Sequence, residues 1–186
     1  MLKVDVGVRI ENVVATAKLN HKIDLNVVVK VYPTAEYRPK LFPGLGFRLI
    51  KPKTSTLIFS TGKMVCTGAK SEKEAKTAVF KIIRELKKSG IVITKKPELR
   101  IVNIVASVSL GGMIDLEKAA FTLGKTMYEP EQFPGLIYRM DDPKVVILIF
   151  ASGKLVCTGA NREEAVYRAV EKLHEKLEKE QLIHHE

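Results

Sequence analysis

Residues 57–69 read LIFSTGKMVCTGA, and 91 positions later residues 148–160 read LIFASGKLVCTGA. At the same shift, residues 10–15 (IENVVA) face 101–106 (IVNIVA), and Ile23-Asp24-Leu25 faces Ile114-Asp115-Leu116. Phe42-Pro43-Gly44-Leu45 faces Phe133-Pro134-Gly135-Leu136, Arg48 faces Arg139, and Pro52-Lys53 faces Pro143-Lys144. No gap is needed from Ile10 onward, and about 33 of 86 paired positions are identical. A period this long that occurs twice marks a duplicated domain and not a solenoid. The chain therefore divides into repeats over residues 1–95 and 96–186, and a pseudo-two-fold molecule is expected.

Each copy of the opening stretch is an apolar run, a Ser/Thr-Gly pair, a Lys and a second apolar run. Short β-prone runs around a Gly-containing link predict a β-hairpin. Residues 8–19 predict a long strand, and a further strand is expected around 47–50. Residues 23–31 carry Val27-Val28-Val29, a strand-like triplet. The second copy replaces it with Glu117-Lys118-Ala119-Ala120 behind Asp115, an N-cap followed by helix formers, so both segments are read as helices. Ser71 with Glu74 forms a capping box ahead of Ala75, Ala78, Val79, Ile82, Ile83 and Leu86, which predicts an amphipathic helix to about Lys88. Its twin is expected from about Arg162 to Gln181, with residues 183–186 fraying.

Each half is thus a set of antiparallel strands with helices, an α+β arrangement in which helices cover one face of a sheet. Alternate residues share a face. Leu57, Phe59, Val65 and Thr67 line up together, as do their twins Leu148, Phe150, Val156 and Thr158, with Asn12, Val14, Asn103 and Val105 on the long strands. The opposite parity, which includes Ile58, Cys66, Ile149 and Cys157, is apolar too and must meet the helices. An apolar face with no helix left to cover it implies a partner surface.

The formal charge is +10. Residues 1–90 hold 18 basic and 7 acidic side chains, and residues 91–186 hold 13 and 14. A basic excess suits a polyanion partner, and its confinement to one repeat suggests that the halves meet different neighbours. Cys66 and Cys157 are expected as buried thiols, since a metal site needs more ligands. The adjacent His184 and His185 are a weak metal signal, and no metal site is assigned. There are no paired catalytic carboxylates, no Cys-His set and no Gly-rich phosphate loop, so no catalytic residues, cofactor or small-molecule substrate are expected. No apolar run approaches a membrane span, and the N-terminal residues lack a signal-peptide core, so an intracellular protein is expected.

These residues resemble the TATA-box-binding protein family in its compact archaeal form. The resemblance runs from about Val6 to Leu177. It rests on the duplicated Asn-x-Val-Ala, Tyr-x-Pro-x-x-Phe-Pro-Gly-Leu, Phe-x-Ser/Thr-Gly-Lys and Val-Cys-Thr-Gly-Ala motifs. It implies a saddle of ten antiparallel strands with four helices on the convex face. It also implies a function, transcription initiation through the minor groove of A·T-rich (TATA-box) promoter DNA in the archaeal cytoplasm and nucleoid. The family is itself the standard example of bending DNA by minor-groove wedging.

Residue by residue, the resemblance places the wedges at Phe42, Phe59, Phe133 and Phe150. Groove contacts fall on Asn12, Val14, Leu57, Val65, Thr67, Asn103, Val105, Leu148, Val156 and Thr158. The minor groove of A·T pairs shows only acceptors, which suits amide and hydroxyl donors. Arg48, Lys53, Lys63, Arg139, Lys144 and Lys154 are expected at phosphates. The first stirrup, Tyr37-Arg38-Pro39-Lys40, is basic, whereas Tyr128-Glu129-Pro130-Glu131 is acidic. The resemblance gives the second stirrup, with Glu129, Glu131 and Gln132, to transcription factor B, which together with RNA polymerase completes the expected partners. A protein-interaction scaffold using the apolar sheet face is the alternative reading.

Overall fold

The computed structural model describes residues 7–186. In chain order the first repeat forms β1 (Gly7–Lys18), α1 (Leu25–Val31), β2 (Leu45–Leu49), β3 (Thr54–Ile58), β4 (Lys63–Ala69) and α2 (Glu72–Lys88). The second forms β5 (Glu98–Ser109), β6 (Met113–Ile114), α3 (Leu116–Thr122), β7 (Thr126–Met127) and β8 (Leu136–Met140). It continues through β9 (Val145–Ile149), β10 (Lys154–Ala160), α4 (Glu163–Lys179) and β11 (Ile183–His184). The chain packs as two compact units, Asn12–Val102 and the described residues up to Glu11 together with Asn103–Glu186. Both cuts fall inside a long strand, at positions equivalent under the 91-residue shift.

In the unit Asn12–Val102 the strand order is β2-β3-β4-β1, all antiparallel. In the other unit it is β5-β10-β9-β8-β7, again antiparallel, and β11 pairs with β6 in a separate two-stranded sheet. Four and five strands make nine among the described residues, where ten were expected. The twin of β7 is an isolated bridge between Glu36 and Gly46, at the positions equivalent to Met127 and Ile137.

Local chemistry sets the helices. Ser71 Oγ accepts from the Glu74 amide at 3.0 Å and starts α2. Asp24 and Asp115 cap α1 and α3, accepting from the amides of Asn26 and Lys118 at 3.0 Å. The Val27-Val28-Val29 triplet is therefore helical: the cap and the buried Leu25 and Val28 outweigh its strand propensity. α4 begins without a side-chain cap, because Arg162 stands where the first repeat has Ser71. It ends at Lys179, and the residues beyond do not fray but form β11.

The core lies between helices and one sheet face. Ala75, Ala78, Val79, Ile82, Ile83 and Leu86 of α2 are buried, as are Met64 and Cys66 of β4, which α2 packs against. Val166, Ala169, Val170, Leu173 and Leu177 of α4 repeat the pattern over Leu155 and Cys157 of β10. Each large aliphatic side chain buried this way contributes about 1.5–3 kcal/mol. Truncating Leu86, which is fully buried, costs about 2–5 kcal/mol.

Candidate nucleic-acid interface

The alternate parity of each sheet stays half exposed. In β1 and β4, Val13, Ala15, Ala17, Met64 and Cys66 are buried, while Asn12, Val14, Thr16, Val65 and Thr67 between them are not. Registers align these half-exposed residues in rows. Thr16 stands opposite Val65, Val65 opposite Leu57 and Leu57 opposite Gly46. In the second unit the row is Ser107, Val156, Leu148 and Ile137. A second row runs Thr67, Ser55, Arg48, and its twin runs Thr158, Val146, Arg139. Apolar side chains thus occupy the middle of each face, with a guanidinium on the edge strand β2 in one unit and on β8, next to the edge strand β7, in the other. Thr16, Ser107, Ser55, Val146 and Ile137 were not singled out from sequence, although extending the two-residue alternation from Asn12 and Leu57 reaches most of them.

The pairing of β1 with β4 slips between Val13 and Ala15, and that of β10 with β5 slips between Cys157 and Ala160. These are β-bulges, and the extra residue leaves a ladder amide without its usual partner. Gly68 and Gly159 occupy them at φ 98 and φ 100, a conformation that favours glycine. The orphaned amides find Asn side chains: Gly68 N donates to Asn12 Oδ1 and Gly159 N to Asn103 Oδ1, each at 2.7 Å. A backbone N–H can only donate, so the acceptor must be the amide oxygen, and this fixes the orientation of both side chains. Each Asn NH₂ is left as a donor with no partner among the described residues. Thr67 Oγ1 donates to the Ser55 carbonyl and Thr158 Oγ1 to Asn103 Oδ1, both at 3.4 Å.

Four phenylalanines form two pairs, one in each unit. Phe42 and Phe59 meet edge to face with centroids 5.9 Å apart, and Phe133 and Phe150 do so at 6.0 Å. Phe42 and Phe133 are 47% and 39% exposed, a large apolar area for side chains of a folded protein. Gly44 and Gly135 lie beneath them. A Cβ on Gly44 would stand 2.7 Å from Phe42 and 3.0 Å from Phe59, and one on Gly135 would stand 2.9 Å from Phe133 and 3.0 Å from Phe150. The Pro-Gly of each stirrup therefore gives the ring pair its seat.

Lys63 and Lys154 share the parity of Val65 and Val156 and are exposed, as are Lys53 and Lys144 at the β2–β3 and β8–β9 turns. Arg48 has Glu36 4.0 Å away as a loose, solvent-exposed ion pair. In the acidic stirrup the amides of Gln132 and Phe133 both donate to the Glu129 carbonyl at 3.0 Å, closing a turn. The side chains of Glu129, Glu131 and Gln132 are exposed, and no hydrogen bond or ion pair holds them among the described residues. Cys66 and Cys157 lie on the opposite parity, fully buried as free thiols. Burial pushes both thiols up, Cys157 to about 11, which removes them from nucleophilic chemistry near neutral pH.

The profile of the family described as "Transcription factor TFIID (or TATA-binding protein, TBP)" matches residues 7–89 and again 98–180. The chain belongs to the TATA-box-binding protein family. It is 58% identical over 170 residues to the TATA-box-binding protein of Pyrodictium occultum, covering 91% of this chain and 85% of that one. Against the Aeropyrum pernix protein of the same name it is 51% identical over 176 residues, covering 95% and 87%. The solved structure of Methanococcus jannaschii TBP matches with a TM-score of 0.84 and 49% identity, covering 92% of this chain and 98% of that one. The TATA-box-binding protein family is one of general transcription initiation factors, and its double profile match coincides with the duplication seen in the sequence. Among the described residues of this family member, no helix is long and apolar enough to cross a membrane.

Proposed function

We propose that the chain binds the minor groove of A·T-rich promoter DNA, bends it, and recruits transcription factor B and then RNA polymerase without catalysing a reaction. The observation that carries this reading is the pinned asparagine of each half-exposed face. Asn12 and Asn103 hold their oxygens inward and present NH₂ donors beside Val14, Val65, Val105 and Val156. The floor of an A·T minor groove offers only acceptors, adenine N3 and thymine O2, over an apolar surface. Thr67 and Thr158 add hydroxyls, and Leu57 and Leu148 extend the apolar contact. Guanine would place its N2 amine against the same donors, and that clash favours A·T.

The ring pairs Phe42–Phe59 and Phe133–Phe150 enter between base steps, where each ring replaces the stacking that is lost. Arg48, Lys53, Lys63, Arg139, Lys144 and Lys154 neutralise phosphates and set the register on the duplex. Each of the repeats 1–95 and 96–186 contributes one such patch. Glu129 and Glu131, with Gln132 beside them, cannot bring their carboxylates to phosphates favourably. Their free carboxylates suit a basic protein surface, in keeping with the family resemblance that gives the second stirrup to transcription factor B. Acting on chromosomal promoter DNA, the protein would function inside the cell, at the nucleoid.

The test is a titration of the full chain against A·T-rich and G·C-rich duplexes at several salt concentrations, with a minor-groove ligand as competitor. Preference for A·T, a steep fall of affinity with salt and displacement by the competitor are the expected results. Equal binding to both duplexes, or none, overturns the reading in favour of a scaffold whose apolar faces bind protein.

A further inference from the structure

His174, Glu178 and His185 lie within one unit and outside the faces described above. His174 and Glu178 stand four residues apart on α4 and so share one stripe of the helix. The His174 side chain is buried in the core stripe at 8% exposure, and its Nε2 has no hydrogen-bond partner. Glu178 Oε1 lies 3.3 Å away, out of line for a hydrogen bond. A buried nitrogen left this way costs about 1–3 kcal/mol.

The third group arrives with the segment after α4. Gln181 adopts φ 54, the Leu182 amide donates back to the Leu177 carbonyl at 2.8 Å, and β11 pairs with β6. The Asp115 amide donates to the Leu182 carbonyl at 3.0 Å and holds the turn in place. This path brings His185 Nε2 to 2.5 Å from Glu178 Oε1. The other edge of the ring lies on backbone, with Nδ1 facing Gly112. One ligand atom from each of the three residues lies within 4.8 Å of the others.

The duplication supplies an internal control. The first repeat has Ile83, Lys87 and Thr94 at the three equivalent positions, and Ile83 is simply core. The second repeat has replaced an apolar core residue, a base and a hydroxyl with three metal-ligand types that converge.

We infer that His174, Glu178 and His185 bind one divalent transition-metal ion, zinc foremost, which clamps the segment after α4 onto that helix. Two imidazoles and a carboxylate are a borderline donor set, and three protein ligands leave a fourth position for water. Bonds of about 2.0–2.1 Å in a tetrahedral site hold ligand atoms about 3.3 Å apart. His174 and Glu178 already stand at that separation. His185 must withdraw by about 0.8 Å from its 2.5 Å contact, and its half-exposed side chain is free to do so. Magnesium, which takes oxygen ligands in an octahedron, does not suit these donors.

The experiment is calorimetric titration of the metal-free full chain with zinc, cobalt(II) and magnesium, alongside melting curves and the visible spectrum of the cobalt form. One saturable zinc per chain, a zinc-dependent rise in melting temperature, tetrahedral cobalt bands and no magnesium binding are expected. Glu178→Gln and His185→Ala should each weaken zinc binding by more than about tenfold and abolish the rise. His174→Ile copies the first repeat, keeps a packed core and should do the same. His184→Ala alters the neighbour on the opposite side of β11 and should change neither. Absence of saturable binding overturns the proposal, as does more than one zinc per chain. So does an equal loss in His184→Ala, which indicates loose chelation by exposed histidines. DNA binding is read separately, so neither result bears on the promoter reading.

Discussion

Replacing Gly135 with Ala tests whether the seat of a ring pair governs DNA bending. The new Cβ would lie 2.9 Å from Phe133 and 3.0 Å from Phe150, and in Gly44→Ala it would lie 2.7 Å from Phe42. Ordinary carbon contacts need about 3.5 Å or more, so a ring edge must move by roughly 0.6–0.8 Å. Neither glycine has a positive φ, so the backbone accepts alanine. What yields is the outer edge of an exposed or half-exposed ring, at a rotamer cost of about 0.5–1.5 kcal/mol. The fold should therefore survive with a small change in melting temperature. Stacking on a base contributes about 1–3 kcal/mol, so a misplaced pair should lose up to that amount, about 5- to 150-fold in affinity. Fluorescence energy transfer across a labelled A·T-rich duplex reads bending, and circular dichroism reads the fold. Wild-type bending in both Gly44→Ala and Gly135→Ala would refute the seating argument. A collapse in melting temperature would show that the glycines serve the fold instead.

Asn103→Asp keeps an oxygen for the Gly159 amide and removes the outward donor, so the protein should melt near the wild-type temperature. It should bind A·T-rich DNA at least about tenfold more weakly, since an acceptor carrying charge then meets acceptors; retention of full affinity would remove the donor role. Glu129→Lys with Glu131→Lys should keep or raise binary DNA binding and abolish transcription factor B recruitment in a mobility shift. Arg38→Glu with Lys40→Glu should leave recruitment largely intact, because rim charges choose partners. Cys157 has a thiol raised from 9.0 to about 11 by burial. The neutral thiol therefore stabilises the folded state below about pH 9, and that contribution is lost as pH rises through about 11. Relative to Cys157→Ala, the wild type should lose roughly 2 kcal/mol over that window, read from urea midpoints at about pH 8 and about pH 10.5.

The elements with a clean period were legible from the chain alone. The two hairpins and α2 follow from alternation, Gly-bounded runs and the Ser71 box, each a signal local to a few residues. α1 was legible only through its twin, since Val27-Val28-Val29 favours strand until Asp115 and its helix formers are set beside it. The pinning of Asn12 by Gly68 was not legible, because it depends on a register slip between strands more than fifty residues apart in sequence. The clustering of His174 with His185 escaped for a related reason. The positive φ at Gln181 and the pairing of β11 with β6 turn back a segment that composition alone marks as frayed.

The bulge amides have a further consequence, one of timing. A free asparagine side chain samples several rotamers and must give up that freedom when it meets a ligand, at a cost of about 0.5–1.5 kcal/mol for an immobilised side chain. The bonds from Gly68 and Gly159 remove this freedom as the strands zip, before any partner is present. The entropy is lost once, in folding, where the cooperative core of α2 and α4 outweighs it. Every later encounter then begins with two donors already aimed, and each new hydrogen bond forms without that ordering cost.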